Sequence, residues 1–339
     1  MHEKKNGVLT CIVPIDLRRR PKDIISRAAN LSMAAMKDNV SISFGLNYSN
    51  DRYERLFIEK MSAFSNVSIE LVKQKKEVNL SSLRNAAFSN VGTDDLVLLD
   101  VDIYPDFSIF IKDIKNNYYE KDKFIIYPCL YLSKSGSKAL KNNNLRRIDL
   151  LEKYFLFHRM HFLHLASPSS ITLMKKHIYK EIGGFNESYI GHGYEDFDFL
   201  IRLCKFYSIL PEDTDSFIDK PSRSPLFAIG FRRFLGRLCF PKLLSKEILL
   251  HIYHDKYQCE SDNYYEFKKN NFCFFKNEHH VFFKNEISDA NDTLISEFIN
   301  YVSMNKGSIH DYSIYFENKP GHIDRLDTFK RRLRFLLNG

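Results

Sequence analysis

Apolar and polar positions alternate in blocks along the first two hundred residues. Val8 to Ile15 is a short, β-branched apolar run that ends in Asp16 and a basic cluster. That pattern predicts a buried strand delivering a loop to one edge of a sheet. Val40 to Leu46 and Val67 to Val72 repeat it, and between them Arg52 to Phe64 sets Leu56, Phe57, Met61 and Phe64 at helical spacing. Ser81 to Ser89 predicts a short helix, and Asp95 to Asp100 another buried strand. Lys123 to Tyr127 and Ile171 to Met174 are further strand candidates, and Lys175 to Glu181 is a helix stopped by Gly183-Gly184. Glu195 to Tyr207 predicts a helix whose acidic first turn suits the positive end of the macrodipole, with Asp198 spaced to pair with Arg202. Alternation of this kind predicts an α/β fold, a mostly parallel central sheet flanked by helices. After Pro211 the pattern weakens, and 259–339 offers one helix, at Asp292 to Met304.

Composition narrows the class. A chain of 339 residues, 44% hydrophobic, buries a sizeable core. The start lacks the apolar core of a secretion signal and no run reaches bilayer length, so a cytoplasmic protein is expected. Six cysteines without CxxC pairing argue against zinc and against a disulfide framework. The net charge of +8 favours anionic partners. Much of the excess falls on Arg223, Arg232, Arg233, Arg237, Lys242 and Lys246, and on Lys330, Arg331, Arg332 and Arg334 near the end. Residues 227–246 mix aromatics and bases at helical spacing. Three readings stay open there: a helix at the inner face of an anionic membrane, a flap over an acceptor groove, or a packed helix. The tail from Arg325 repeats the theme.

Two segments carry candidate chemistry. Asp100-Val101-Asp102 follows a buried strand, where extended backbone would project both carboxylates to one side, into the crevice beyond the strand ends. Mg²⁺ or Mn²⁺ would relieve the charge and share its sphere with a diphosphate; an ordinary acidic loop is the other reading. More specific is the block from Ile182 to Leu203, with Gly183-Gly184-Phe185, then Gly191-His192-Gly193, then Glu195-Asp196-Phe197-Asp198 opening a helix.

This block resembles the acceptor-side motif of the GT-A glycosyltransferases, close to the bacterial family 2 capsule-type enzymes and to the β-1,4-galactosyltransferase and chondroitin-synthase group. The likeness covers roughly residues 8 to 258, with 259–339 left as a C-terminal extension of a catalytic domain at 1–258. It implies a GT-A fold and an inverting, UDP-sugar-dependent hexosyltransferase of capsule or other surface polysaccharide synthesis. Val13-Pro14-Ile15-Asp16-Leu17-Arg18 is similar to the family's nucleotide-binding start, so Pro14, Asp16 and Arg18 fall on the donor side, with Arg84, Asn85 and Asp100. Asp102 is implied as the direct metal ligand, Asp100 as a second ligand or a contact to ribose or a metal-bound water, and His254 is favoured over His251 to complete the sphere. That mixed donor set suits Mn²⁺ better than Mg²⁺. Gly184, Phe185, His192, Gly193, Tyr194 and Asp198 are implied on the acceptor side. Asp196 is the implied general base, and Glu195 orients the acceptor or the base. The partners implied are a UDP-sugar and an oligosaccharide or lipid-linked glycan.

The sequence departs from the galactosyltransferases at Phe197, where they carry a further acid, and at Ile190 or His192, where they carry Trp. Acceptor identity therefore does not transfer. Arg19 and Arg20 read equally as a solvated basic turn, and His158, His161 and His164 as core or groove residues. A GT-A-like module that binds glycan without catalysis is the alternative class. A nucleic-acid-binding protein would use the charge but gives the Gly-Gly-Phe to Glu-Asp block no role.

Overall fold

A computed structural model describes residues 7–73, 77–210, 219–220, 224–255, 261–279, 294–317 and 333. Arg223, the tail bases Lys330, Arg331, Arg332 and Arg334, and the start of the helix expected from Asp292 lie outside them. Among the described residues no helix is long and apolar enough to cross a membrane.

The strands are β1 (Leu9–Ile15), β2 (Val40–Tyr48), β3 (Val67–Lys73), β4 (Asp95–Leu98), β5 (Ile125–Ile126), β6 (Cys129–Leu132), β7 (Phe162–Ala166), β8 (Thr172–Lys175), β9 (Asp219–Lys220), β10 (Ile229–Gly230) and β11 (Leu249–His251). The chain forms two compact units, each of three segments: residues 1–125, 170–210 and 256–281 in the first, 126–169, 211–255 and 282–339 in the second. This differs from the expected division at 258. The helix Ser261–His279 packs within the first unit, and the helix Ile295–Met304 within the second.

The first unit is built on a sheet ordered β3-β2-β1-β4-β8-β5. β1 pairs in parallel with β2 and with β4, β2 pairs in parallel with β3, and β8 runs antiparallel to β4. The continuous apolar run in β1 is explained by burial on both faces, Pro14 alone being half-exposed. Gly45 in β2 is where the helix Leu80–Phe88 crosses: a Cβ there would lie 1.8 Å from the Leu83 carbonyl oxygen. The helix Arg52–Ser62 starts where its sequence says. Asp51 accepts from the Tyr53 and Glu54 amides while the Glu54 carboxylate accepts from the Asp51 amide, a capping box. Phe57 and Met61, fully buried, anchor that helix, each contributing roughly 2 kcal/mol by burial. The strand order reverses direction between β1 and β4, so ligand chemistry is expected beyond their carboxyl ends.

The second unit has a three-stranded sheet ordered β11-β6-β7, with β11 parallel and β7 antiparallel to β6. β9 and β10 form a separate antiparallel ribbon. Residues 227–246 are not one amphipathic helix. They divide into β10 and the helices Phe231–Arg237 and Phe240–Leu244, with Phe231, Phe234, Leu235, Phe240 and Leu243 buried. Gly230 (φ 73) turns the chain, and Pro241 starts the second helix afresh. Three of the bases there are matched by acids: Arg233 and Arg237 pair with Glu297, some sixty residues on, and Lys242 with the nearby Glu247. Of the readings open for this segment, packed helices are what the chain forms.

Candidate active site

Three segments of the first unit meet beyond the ends of β1 and β4. The first is the loop Asp16–Arg20. Asp16 accepts from Arg18 Nε at 2.9 Å and Nη2 at 2.8 Å. Burial pushes the Asp16 carboxyl up, but the Arg18 guanidinium beside it prevails, and the group sits below the ordinary carboxylate range. Arg19 Nη1 lies 3.1 Å from His192 Nε2. Arg20 takes a left-handed backbone (φ 48) at the start of the helix Pro21–Lys37. Arg19 and Arg20 are therefore engaged, not a solvated turn.

The second segment is Asp100-Val101-Asp102. The Ile103 amide donates to the Asp100 carbonyl at 3.1 Å, so the chain turns here and is not extended. The two carboxylates accordingly take different partners, which corrects the expectation that both project together. Asp102 is buried; its Oδ1 accepts from Arg27 Nη1 at 2.7 Å and its Oδ2 from Arg20 Nη2 at 2.8 Å. Asp23 bridges the same two guanidiniums at 2.6 and 2.9 Å. Asp100 is more open, 40% exposed, with Arg84 Nη2 and Ser170 Oγ each at 3.3 Å.

The third segment is the glycine-rich block. Gly183 (φ 78), Gly184 (φ 65), Gly191 (φ 78) and Gly193 (φ 99) all lie in the left-handed region, as does Tyr194 (φ 71). The conformation explains the glycines without recourse to a ligand. Asn85 holds this loop: its Oδ1 accepts from the Phe185 amide and the Tyr179 hydroxyl, both at 2.8 Å, and its Nδ2 donates to the Phe185 carbonyl at 2.9 Å. Gly184 packs against it so closely that a Cβ would lie 2.5 Å from Asn85 Oδ1. Asn79 bridges to Gly191 and donates to the Glu187 carbonyl at 2.7 Å.

The acids that open the helix Glu195–Phe206 divide by environment. Glu195 is buried and accepts from the Gly193 amide at 2.8 Å, with Arg84 Nη1 at 3.5 Å. Asp198 is 1% exposed and bound by Arg202 Nε and His279 Nε2, both at 2.9 Å. Its expected acceptor contact is corrected: it faces the interior, where burial and its charge raise the Tyr189 hydroxyl pKa far above normal. Phe185 is likewise buried, stacked on Phe199 at 4.3 Å, under Arg84 at 4.8 Å from its ring. Tyr194 is buried too, stacked on Phe272 at 5.0 Å. Asp196, His192 and Gly193 remain half-exposed. Burial alone would depress the Arg84 guanidinium, but Asp100, Glu195 and Asp196 around it outweigh that and raise it.

Sequence reasoning missed Arg27, Asn271 and His279. Arg27 stands on the helix after the first loop with no local signal. Asn271, on the helix Ser261–His279, donates from Nδ2 to the carbonyls of Ile190 (2.9 Å) and Gly193 (3.0 Å). In the second unit, His251 ends β11 stacked on Tyr131 at 4.1 Å, and His254 follows with its ring 5.5 Å from that of His251. His164 on β7 stacks on the other side of Tyr131 at 4.3 Å.

A family model described as "Glycosyltransferase like family 2" matches residues 31–281. No curated protein matches the chain. Among solved structures, it is similar to the catalytic domain of Drosophila β-1,4-galactosyltransferase 7 with xylobiose: 15% identity, 57% of this chain and 59% of that one, TM-score 0.31. This chain thus spans less than two thirds of that protein's. S. aureus TarS 1-349 is similar over 91% of this chain and 88% of that one, at 12% identity and TM-score 0.35. A mannosyltransferase from Pyrobaculum calidifontis, in complex with GDP-Man and Mn²⁺, is similar over 95% and 88% respectively, at 10% identity and TM-score 0.37. None of these likenesses assigns a residue.

Proposed function

The chain belongs to the glycosyltransferase-like family 2, and from that premise we propose an inverting transfer of a sugar from a UDP-sugar to a glycan acceptor, with Asp196 as general base. The observation that carries the assignment is the contrast among the helix-start acids. Glu195 and Asp198 are buried and held by cations, whereas Asp196 stands half-exposed at the loop's edge. In the reaction the acceptor oxygen attacks the anomeric carbon and the bond to the diphosphate breaks, UDP leaving with the electron pair. The Asp196 carboxylate takes the acceptor hydroxyl's proton. Glu195, fastened to the Gly193 amide, fixes the loop that carries Asp196.

Oxygen donors at Asp100 and Asp102 suit Mn²⁺ or Mg²⁺, and the open Asp100 carboxylate can take a ligand without a new burial cost. A bound cation would neutralise charge on the departing diphosphate. His254 is proposed as a further ligand from its place in the chain order alone. Arg18 and Arg84 supply cationic charge on the donor side, and Pro14 and Asp16 shape the floor beneath it. We place the reaction inside the cell, in capsule or other surface polysaccharide synthesis on an oligosaccharide or lipid-linked acceptor.

Asp196→Asn tests the reading. Transfer should fall about 10²–10⁴-fold while UDP with Mn²⁺ still raises the melting temperature. Loss of both together would reassign Asp196. Failure of the wild-type protein to hydrolyse or transfer any UDP-sugar would favour a glycan-binding module instead.

A further inference from the structure

In the second unit, the helix Arg147–Phe155 ends in a loop that presents apolar side chains to water. Leu156 is 70% exposed, Met160 69%, Phe157 38%, and Ile148 on the same helix 48%. Ile148 and Leu156 stand at i and i+8, on one side of the helix. Phe157 closes the helix in the left-handed region (φ 60), where glycine is usual, so a large ring stands at a position that ordinarily carries none.

The loop is not loose. Ser133 and Ser135 hydroxyls both donate to the Met160 carbonyl, at 2.7 and 2.8 Å, and the Ser133 amide donates to the His161 carbonyl at 2.8 Å. Gly136 lets the helix Lys134–Lys141 sit against that backbone, since a Cβ would lie 2.3 Å from the His161 oxygen. An exposed apolar tip on a fixed backbone has already met the ordering cost of binding.

Charge identifies the occupant. Lys134, Lys138, Lys141, Arg146, Arg147, Lys153 and Arg159 face only Asp149 and Glu152 between residues 131 and 160, seven bases against two acids and hence a net +5. Asp149 is further neutralised by Arg146 at 2.8 Å. Exposed apolar side chains on a segment with this excess of bases match the interface of an anionic bilayer, which takes the first into its acyl boundary and the second among its head groups. We propose that the Leu156–Met160 protrusion is a membrane-docking surface for anionic lipid. The segment 227–246 suits this less well, since its large apolar side chains are core and Arg233, Arg237 and Lys242 are paired with acids. The inference is independent of the donor and of the metal.

The chain contains no Trp, so Leu156→Trp places a single reporter at the tip. With the full chain, its emission should shift to the blue on adding phosphatidylcholine vesicles containing phosphatidylglycerol, and not with phosphatidylcholine alone. High salt should reverse the shift. In the otherwise wild-type chain, Leu156→Asp with Met160→Asp should lower vesicle affinity at least tenfold without moving the melting temperature. Lys134→Gln and Lys138→Gln should each cost about fivefold. The proposal is overturned by any of three results: no shift, undiminished vesicle binding by the double aspartate variant, or a blue shift that follows protein concentration without lipid, which would mark a contact between copies.

Discussion

The glycine-rich block and the Asp100–Asp102 turn border the same crevice and are held in different ways. Around Gly183 to Tyr194 the backbone itself is the device. Five residues lie in the left-handed region, and the side chains of Asn79, Asn85 and Asn271 bond to main-chain groups. Around Asp102 no glycine is needed, because Arg20 and Arg27 fix one carboxylate while Arg84 reaches the other. The first arrangement rests mainly on conformation and neutral hydrogen bonds, with the Glu195 carboxylate on the Gly193 amide as a charged exception, and should respond only weakly to salt and pH. The second rests on charge and should respond strongly.

The comparison breaks most visibly at Gly184. Gly184→Ala should cost roughly 3 kcal/mol, from the left-handed backbone and the encounter with Asn85, measured by urea unfolding. In an Asn85→Ala background the same change should cost only about 1–2 kcal/mol, the backbone part alone. Asp102→Ala should cost about 1.5–3 kcal/mol, because it removes the buried carboxylate and leaves the two guanidiniums only the more exposed Asp23 to share. That loss, unlike the one at Gly184, should shrink as salt is raised.

A smaller effect is expected at Asn271. Asn271→Ala should destabilise by about 1–2 kcal/mol, leaving the Ile190 and Gly193 carbonyls short of a donor. If the loop is held for Asp196, kcat should fall while KM for the donor stays near its wild-type value. The smallest effect belongs to Asp16. Its folded-state pKa is depressed, so its contribution is present above the unfolded value of about 3.9 and is lost as pH falls through the folded value. Asp16→Asn should therefore cost about 0.5–1 kcal/mol near neutrality. The gap to wild type should close under acid; a gap that persists there would mean that Asp16 acts through hydrogen bonding alone.

Much of the first unit was legible because local pattern and global fold agree there. The apolar runs at 8–15, 40–46, 67–72 and 95–100 became β1 to β4, and the helical spacing read from Arg52 became a helix that starts there. The Gly-Gly-Phe to Glu-Asp block was legible because left-handed backbone leaves a direct mark in glycine. Two readings failed and one stayed open because the deciding contacts leave no mark in the local pattern. The alternation rule set Asp100 and Asp102 on one side, but a turn divides them between arginines. Asp198 read as a ligand contact until His279, 81 residues on, closed over it. The three readings of residues 227–246 stayed open because Glu297, which pairs with Arg233 and Arg237, lies sixty residues beyond Arg237. Asn271 left no trace, since a helix of mixed aromatic and polar residues shows no period that marks its packed face.

The division of each unit into three segments bears on synthesis. The chain passes between the units at each of the five joins in 1–125, 126–169, 170–210, 211–255, 256–281 and 282–339. A ribosome that has released the first 210 residues has delivered the strands of the large sheet, the crevice acids and the glycine-rich loop, but not Asn271 or His279. Until the helix Ser261–His279 emerges, Tyr189 and Tyr194 lack their aromatic cover and Asp198 lacks its histidine. The nascent protein must therefore wait, exposed, for its own late segments. It is the kind of client for which chaperones would raise, and slow translation across residues 210–280 would lower, the yield of native enzyme.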